Sequence, residues 1–137
     1  MKLCSACLLG IKCRYDGKSK KDKKVIELSK KEALIPVCPE QLGGLATPRE
    51  SSEIKGDKVL TQSGKDIMEN LQKGAEEVLK LVKLFGTKEA IFKQRSPSCG
   101  CGQIYDGTFS GKIIKEDGVT TALLKKNGIK VISEKEL

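Results

Sequence analysis

Six cysteines and no histidine define the chemistry open to this 137-residue chain. The thiols are Cys4, Cys7, Cys13, Cys38, Cys99 and Cys101. Without imidazole there is no Cys–His dyad, no Ser–His–Asp triad and no His-ligated zinc. Any metal must be held mainly by thiolate, which selects zinc, copper(I) or iron–sulfur. The segment "RSPSCGCGQIYDG", residues 95–107, carries two of the six among glycines, serines and a proline, which is loop composition. The chain opens at Met1 on a strand-like segment with no signal-peptide pattern. No apolar run approaches the ~20 residues that cross a bilayer. A reducing, cytosolic setting is therefore expected, where cysteines serve metal binding or catalysis more often than structural disulfides.

What the thiols do depends on the elements that carry them. Residues 2–6, "KLCSA", read as a short buried strand, 23–33 as a helix, and 34–38, "LIPVC", as a second buried strand. "PEQLGGLATPRE" reads as a loop from its Pro and Gly content. Residues 52–61 predict a hairpin turning at Gly56-Asp57. Ile67, Leu71, Ala75, Val78, Val82 and Phe85 form one apolar stripe, which predicts a helix from about Lys65 to Phe85 with Ser63 capping its start and Gly86 its end. Residues 89–94 predict a strand, Asp106-Gly107 a tight turn, 118–128 a helix and 129–133 a last strand. Strands alternating with helices imply a sheet covered on both faces. The expected fold is α/β: one Rossmann-like three-layer domain over residues 1–137, with a mostly parallel sheet and a small hairpin insertion. No GxGxxG or Walker A pattern is present, so no dinucleotide or P-loop site is indicated.

On that fold Cys7 follows the first strand, Cys38 closes the second, and Cys99 lies just past the strand at 89–94. Open α/β sheets bind ligands at the carboxyl ends of their strands. Three cysteines distant in sequence thus arrive at one sheet edge, each followed by a glycine-bearing loop. Three readings fit: zinc with a fourth ligand from Cys4, Cys13 or Cys101, a redox disulfide drawing on "CSAC", or an iron–sulfur cluster on three cysteines with one iron open. Spacing leaves all three standing. Cys4 also reads as a small buried hydrophobe, and Cys13 and Cys101 as spare thiols. The net charge of +8 attracts anions, nucleic acid among them, or simply marks solvated lysine faces. Two Tyr, three Phe and no Trp are too few for a base-stacking groove.

The segments "SACLLGIKCRYDG", "PVCPEQLGGLATPR", "QRSPSCG", "IYDGTFSG" and "GVTTALLKKNGIKVISEKEL" follow one another along nearly the whole chain. In content and order they resemble the thiouracil desulfurase family, first grouped as a domain of unknown function. The resemblance implies a 4Fe-4S cluster held by Cys7, Cys38 and Cys99, with the fourth iron free for substrate sulfur. It implies Glu40 and Ser96 beside that iron, the carboxylate activating water and the hydroxyl bonding the substrate. The expected substrate is a thiolated base, nucleoside or nucleotide whose C=S becomes C=O. A non-enzymatic zinc module with a basic nucleic-acid-binding face and a thiol–disulfide or sulfur-trafficking protein are the competing readings, and a cluster of this kind also suits sulfur insertion.

Overall fold

The computed structural model describes residues 1–137. Four parallel strands form the central sheet: β1 (Lys2–Ser5), β2 (Leu34–Val37), β5 (Glu89–Phe92) and β8 (Lys130–Ser133), in the order β2-β1-β5-β8. The antiparallel hairpin β3 (Ser52–Lys55) and β4 (Lys58–Thr61) stands apart from it, as the Gly56-Asp57 turn predicts. The strands alternate faces, and both faces are apolar. Leu3, Ala90, Phe92 and Val131 pack one way, against Val78 and Val82 of α3 (Met68–Phe85) and Leu124 of α4 (Val119–Lys126). Cys4, Ile91 and Ile132 pack the other way, against Val25 and Leu28 of α1 (Lys23–Ser29). That double-sided pattern is what a parallel sheet buried between helices requires. A third cluster, with Ile54, Val59, Ile67, Leu71 and Ile104, seats the hairpin on the start of α3. No helix is long and apolar enough to cross a membrane.

The α/β fold with a mostly parallel sheet and a hairpin insertion is the one the element order predicts. Several local readings need correction. The stretch after Cys38 is not all loop, since Pro39–Leu42 forms one helical turn, α2. Proline's fixed φ suits the first helical position, and Cys38 precedes it in extended conformation. The helix at 23–33 ends at Ser29, and the strand at 89–94 ends at Phe92. Ser63 does not cap α3. Its hydroxyl donates to Glu50 Oε2 at 2.9 Å, and the Asp66 carboxylate instead accepts the Met68 N–H at 3.0 Å. Gly86 closes α3 in the left-handed conformation, as expected. Ile104–Tyr105 (β6) and Ile113–Ile114 (β7) pair as a short antiparallel ladder around the Asp106-Gly107 turn, a pairing too short for periodicity to show.

Two glycines place α2. A Cβ on Gly43 would strike Asn70 O, and one on Gly74 would strike Pro39 O. The helical turn carrying Pro39 and Glu40 therefore lies backbone to backbone against α3. A side chain at either position would push Glu40 away from the sheet edge.

Candidate active site

Because the central strands are parallel, their carboxyl ends share one edge. β2 lies on one side of β1 and β5 on the other, so the chain reverses its winding direction about β1, the place where open sheets form ligand crevices. A cavity of about 470 Å³ opens there. Cys7, in the 3-10 turn Ala6–Leu9 after β1, lines it. So do Cys38, immediately after β2, and Cys99, in the loop beyond β5. Glu40 and Ser96 line the same cavity. All five residues singled out in the sequence are thus brought to one place.

The Cys99 loop is held from three sides. Ser96 Oγ accepts the N–H groups of Ser98 and Cys99 at 3.1 and 3.0 Å. The start of α4 donates Val119 N–H to Pro97 O and Thr120 N–H to Ser98 O, and Thr121 Oγ1 donates to Cys99 O at 2.9 Å. A Cβ on Gly118 would lie 2.5 Å from the Ser98 carbonyl carbon, so only glycine admits this contact. The "GVTT" segment is therefore a clamp for the Cys99 loop. Cys101 is turned elsewhere: its thiol donates to Val131 O at 3.2 Å, and the Gln94 side chain bonds both its N–H and its carbonyl.

Sequence reasoning missed two residues here. Cys13, read as a spare thiol, lines the cavity with 2% of its surface exposed, and its thiol lies beside those of Cys38 and Cys7. Arg49 ties the site together. Its Nε donates to Glu40 Oε1 at 3.0 Å, Nη1 to Ala46 O and Thr47 Oγ1, and Nη2 to Cys13 O at 3.0 Å. Arg49 already ends the "PVCPEQLGGLATPR" segment, but its partners lie up to 36 residues away in sequence, so no local pattern exposes them. Ser98, fully buried, approaches the other Glu40 oxygen at 3.5 Å.

Electrostatics sets the state of the thiols. Burial pushes the Cys99 thiol well above its ordinary range, reinforced by the nearby Cys38 and Glu40. The neighbouring Cys13 and then burial push Cys38 up in the same way. For Cys13 the Cys38 contact pulls down, but Cys7 and burial outweigh it, to about 11. Burial takes Cys4, inside β1 and away from the cavity, to about 12, as for a small buried hydrophobe. Four cations line the cavity, but Arg14 pairs with Asp16, Lys93 with Glu134 and Arg49 with Glu40, which leaves Arg95 outside the ion pairs.

Soft, buried thiols at the switch edge of a parallel sheet, beside a carboxylate locked by arginine, define an enzyme pocket of metal–sulfur character. The comparisons with known proteins agree. The model of the 2-thiouracil desulfurase family matches residues 3–136, and the chain belongs to that family. It is 46% identical over 147 aligned residues to the uncharacterized protein YbbK of Bacillus subtilis (strain 168), covering all of this chain and 97% of that one. Its fold matches that of the solved 4Fe-4S-dependent thiouracil desulfidase TudS with a TM-score of 0.93 at 43% identity, over 99% of this chain and 91% of the other.

Proposed function

We propose that this chain is an iron–sulfur-dependent desulfurase that replaces C=S by C=O in a thiolated nucleobase or nucleoside, with a 4Fe-4S cluster on Cys7, Cys38 and Cys99. The observation that carries this reading is that three cysteines from three adjacent strand ends open into one cavity with Glu40 among them. The donor set fits the group. The three candidate ligands are all sulfur, and soft thiolates are the ligands that hold iron–sulfur clusters. When bound, such a cluster supplies an iron without a protein ligand, a Lewis acid for the soft sulfur of a thiocarbonyl.

The chain's own residues do the rest. Glu40, held by Arg49 through Oε1, takes a proton from water at its carboxylate as the water adds to the thiocarbonyl carbon. The proton left on the added hydroxyl passes to sulfur, which leaves as hydrosulfide, and the oxygen of water stays on carbon as C=O. Ser96 spends its oxygen lone pairs on two backbone N–H groups, which leaves its hydroxyl proton to donate into the cavity. There it orients the Cys99 thiolate or the substrate.

Anaerobic reconstitution with iron and sulfide, followed by assay of hydrosulfide release from thiolated bases and nucleosides, tests this reading. Bound iron with acid-labile sulfide and turnover supports it, and stoichiometric zinc after anaerobic purification overturns it. A Cys13→Ser variant separates three ligands from four: it is expected to retain iron and sulfide, and their loss would make Cys13 a ligand. Assembly also carries a pH signature. The pKa of Cys38 and of Cys99 is raised, so both hold protons at neutral pH and must release them to bind iron. Iron incorporation should therefore rise steadily from about pH 7 to about pH 9. A flat profile, read by the absorbance of the assembled cluster, would count against thiol deprotonation as a controlling step.

A further inference from the structure

Glu53, on β3, brings a second carboxylate to the cavity. It is 9% exposed and takes part in none of the chain's ion pairs. Its Oε1 accepts two backbone N–H groups, from Gly107 at 3.0 Å and Phe109 at 3.1 Å. Its Oε2 accepts nothing from the protein. Nor is Oε2 sealed away, because the side-chain oxygens that are both fully buried and unpartnered are Thr87 Oγ1 and Thr120 Oγ1 alone. An unbonded carboxylate oxygen that is open to solvent takes its hydrogen bond from water, or from a ligand that displaces that water. Glu53 lines the cavity that Cys7, Cys38 and Cys99 share.

An aromatic residue lines the cavity beside it. Phe109 lines the cavity with its backbone at φ 55°, a left-handed conformation that costs a non-glycine residue and persists only when its surroundings hold it. The Glu53–Phe109 bond is one such hold. One carboxylate thus anchors the backbone of a cavity-lining phenylalanine with Oε1 and leaves Oε2 as a free acceptor.

We propose that Glu53 is a specificity-determining residue: its Oε2 accepts the ring N–H adjacent to the thiocarbonyl. This rests on the desulfurase reading of the cavity. A thiolated pyrimidine in its thione form carries such an N–H, whereas a ring nitrogen that has given up its proton to the thiol tautomer, or that bears an alkyl group, does not. A carboxylate only accepts, so it selects the thione, the form in which the carbon–sulfur bond is open to attack. A purely structural role would not need the second oxygen, because an amide oxygen can accept from Gly107 and Phe109 equally well.

Glu53→Gln exploits that difference. It keeps an acceptor for the turn and points an NH₂ donor at the substrate's N–H. With 2-thiouracil, kcat/KM is expected to fall by ~10- to 100-fold, the size of a hydrogen bond to a charged group. With 1,3-dimethyl-2-thiouracil, which has no ring N–H, the wild type is poor and the substitution changes little, so discrimination between the two collapses. Uracil binding, measured by calorimetry without turnover, should weaken in parallel with the 2-thiouracil loss. Equal losses on both thiolated compounds, unchanged uracil affinity, or no uracil binding to the wild type would overturn the proposal. A wild type that binds uracil through Glu53 yet releases no hydrosulfide would overturn the desulfurase reading and leave the role of Glu53 in base recognition standing.

Discussion

Replacing Cys99 by serine is expected to give a colourless protein that releases no hydrosulfide above background, whereas Cys101→Ser, two residues on, keeps its iron and its turnover. The two thiols share a loop but face different surroundings. Cys99 lines the cavity, and its carbonyl is pinned by Thr121 Oγ1 and its N–H by Ser96 Oγ, so its sulfur has one direction in which to point. Serine there keeps the loop but loses the soft donor, and iron with sulfide ligands is held by thiolates. Both cysteines belong to the core cluster on the α3–α4 face, but Cys101 does not line the cavity and donates to Val131 O, a bond that a serine hydroxyl can reproduce. Iron and acid-labile sulfide analysis of the two variants after anaerobic reconstitution, with a thermal melt to show that both fold, decides the matter. A brown, active Cys99→Ser protein would remove Cys99 from the ligand set.

The part of this site that the sequence makes legible is the part that depends on backbone topology. Cys7, Cys38 and Cys99 each follow a short apolar run, and runs separated by helices make parallel strands whose ends must coincide. Position along the chain therefore translates directly into position in space. What stays hidden is set by side chains reaching across the fold. Arg49 bonds Cys13 O from 36 residues away, and Glu53 bonds Gly107 N from 54 away. Neither contact leaves a period or a spacing. Cys13 belongs to the same group: its loop has no regular element, and only the Arg49 bond and the fold of residues 10–22 bring its thiol beside Cys7 and Cys38. The helical turn at Pro39–Leu42 was hidden by the Gly43-Gly44 pair that follows it, which signals a loop locally, although Gly43 meets Gly74 in the close contact between α2 and α3.

Glu40→Gln is expected to keep the cluster and lose about 10²- to 10⁴-fold in turnover, the usual contribution of a positioned general base. Glutamine preserves the shape of the side chain and an oxygen for Arg49 Nε, so loss of proton transfer is separated from loss of structure. The sharper test adds Arg49. The pair is largely buried, with 10% of the Arg49 side chain and 14% of the Glu40 side chain exposed. Arg49→Met leaves Glu40 buried without its cation and frees the carbonyls of Cys13 and Ala46, which by analogy with other buried pairs costs about 3–5 kcal/mol of stability. Turnover should fall toward the Glu40→Gln level, because a carboxylate that loses the Arg49 Nε hydrogen bond is no longer held in place for the attacking water. If Arg49 acts on the chemistry only through Glu40, the double variant turns over no more slowly than Glu40→Gln alone, and the two losses are strongly non-additive. Additive losses in kcat, measured on cluster-loaded protein normalised to iron content, would instead give Arg49 a direct contact with the substrate. Full activity in Glu40→Gln would move the proton acceptor elsewhere in the cavity, where Glu53 is the remaining carboxylate.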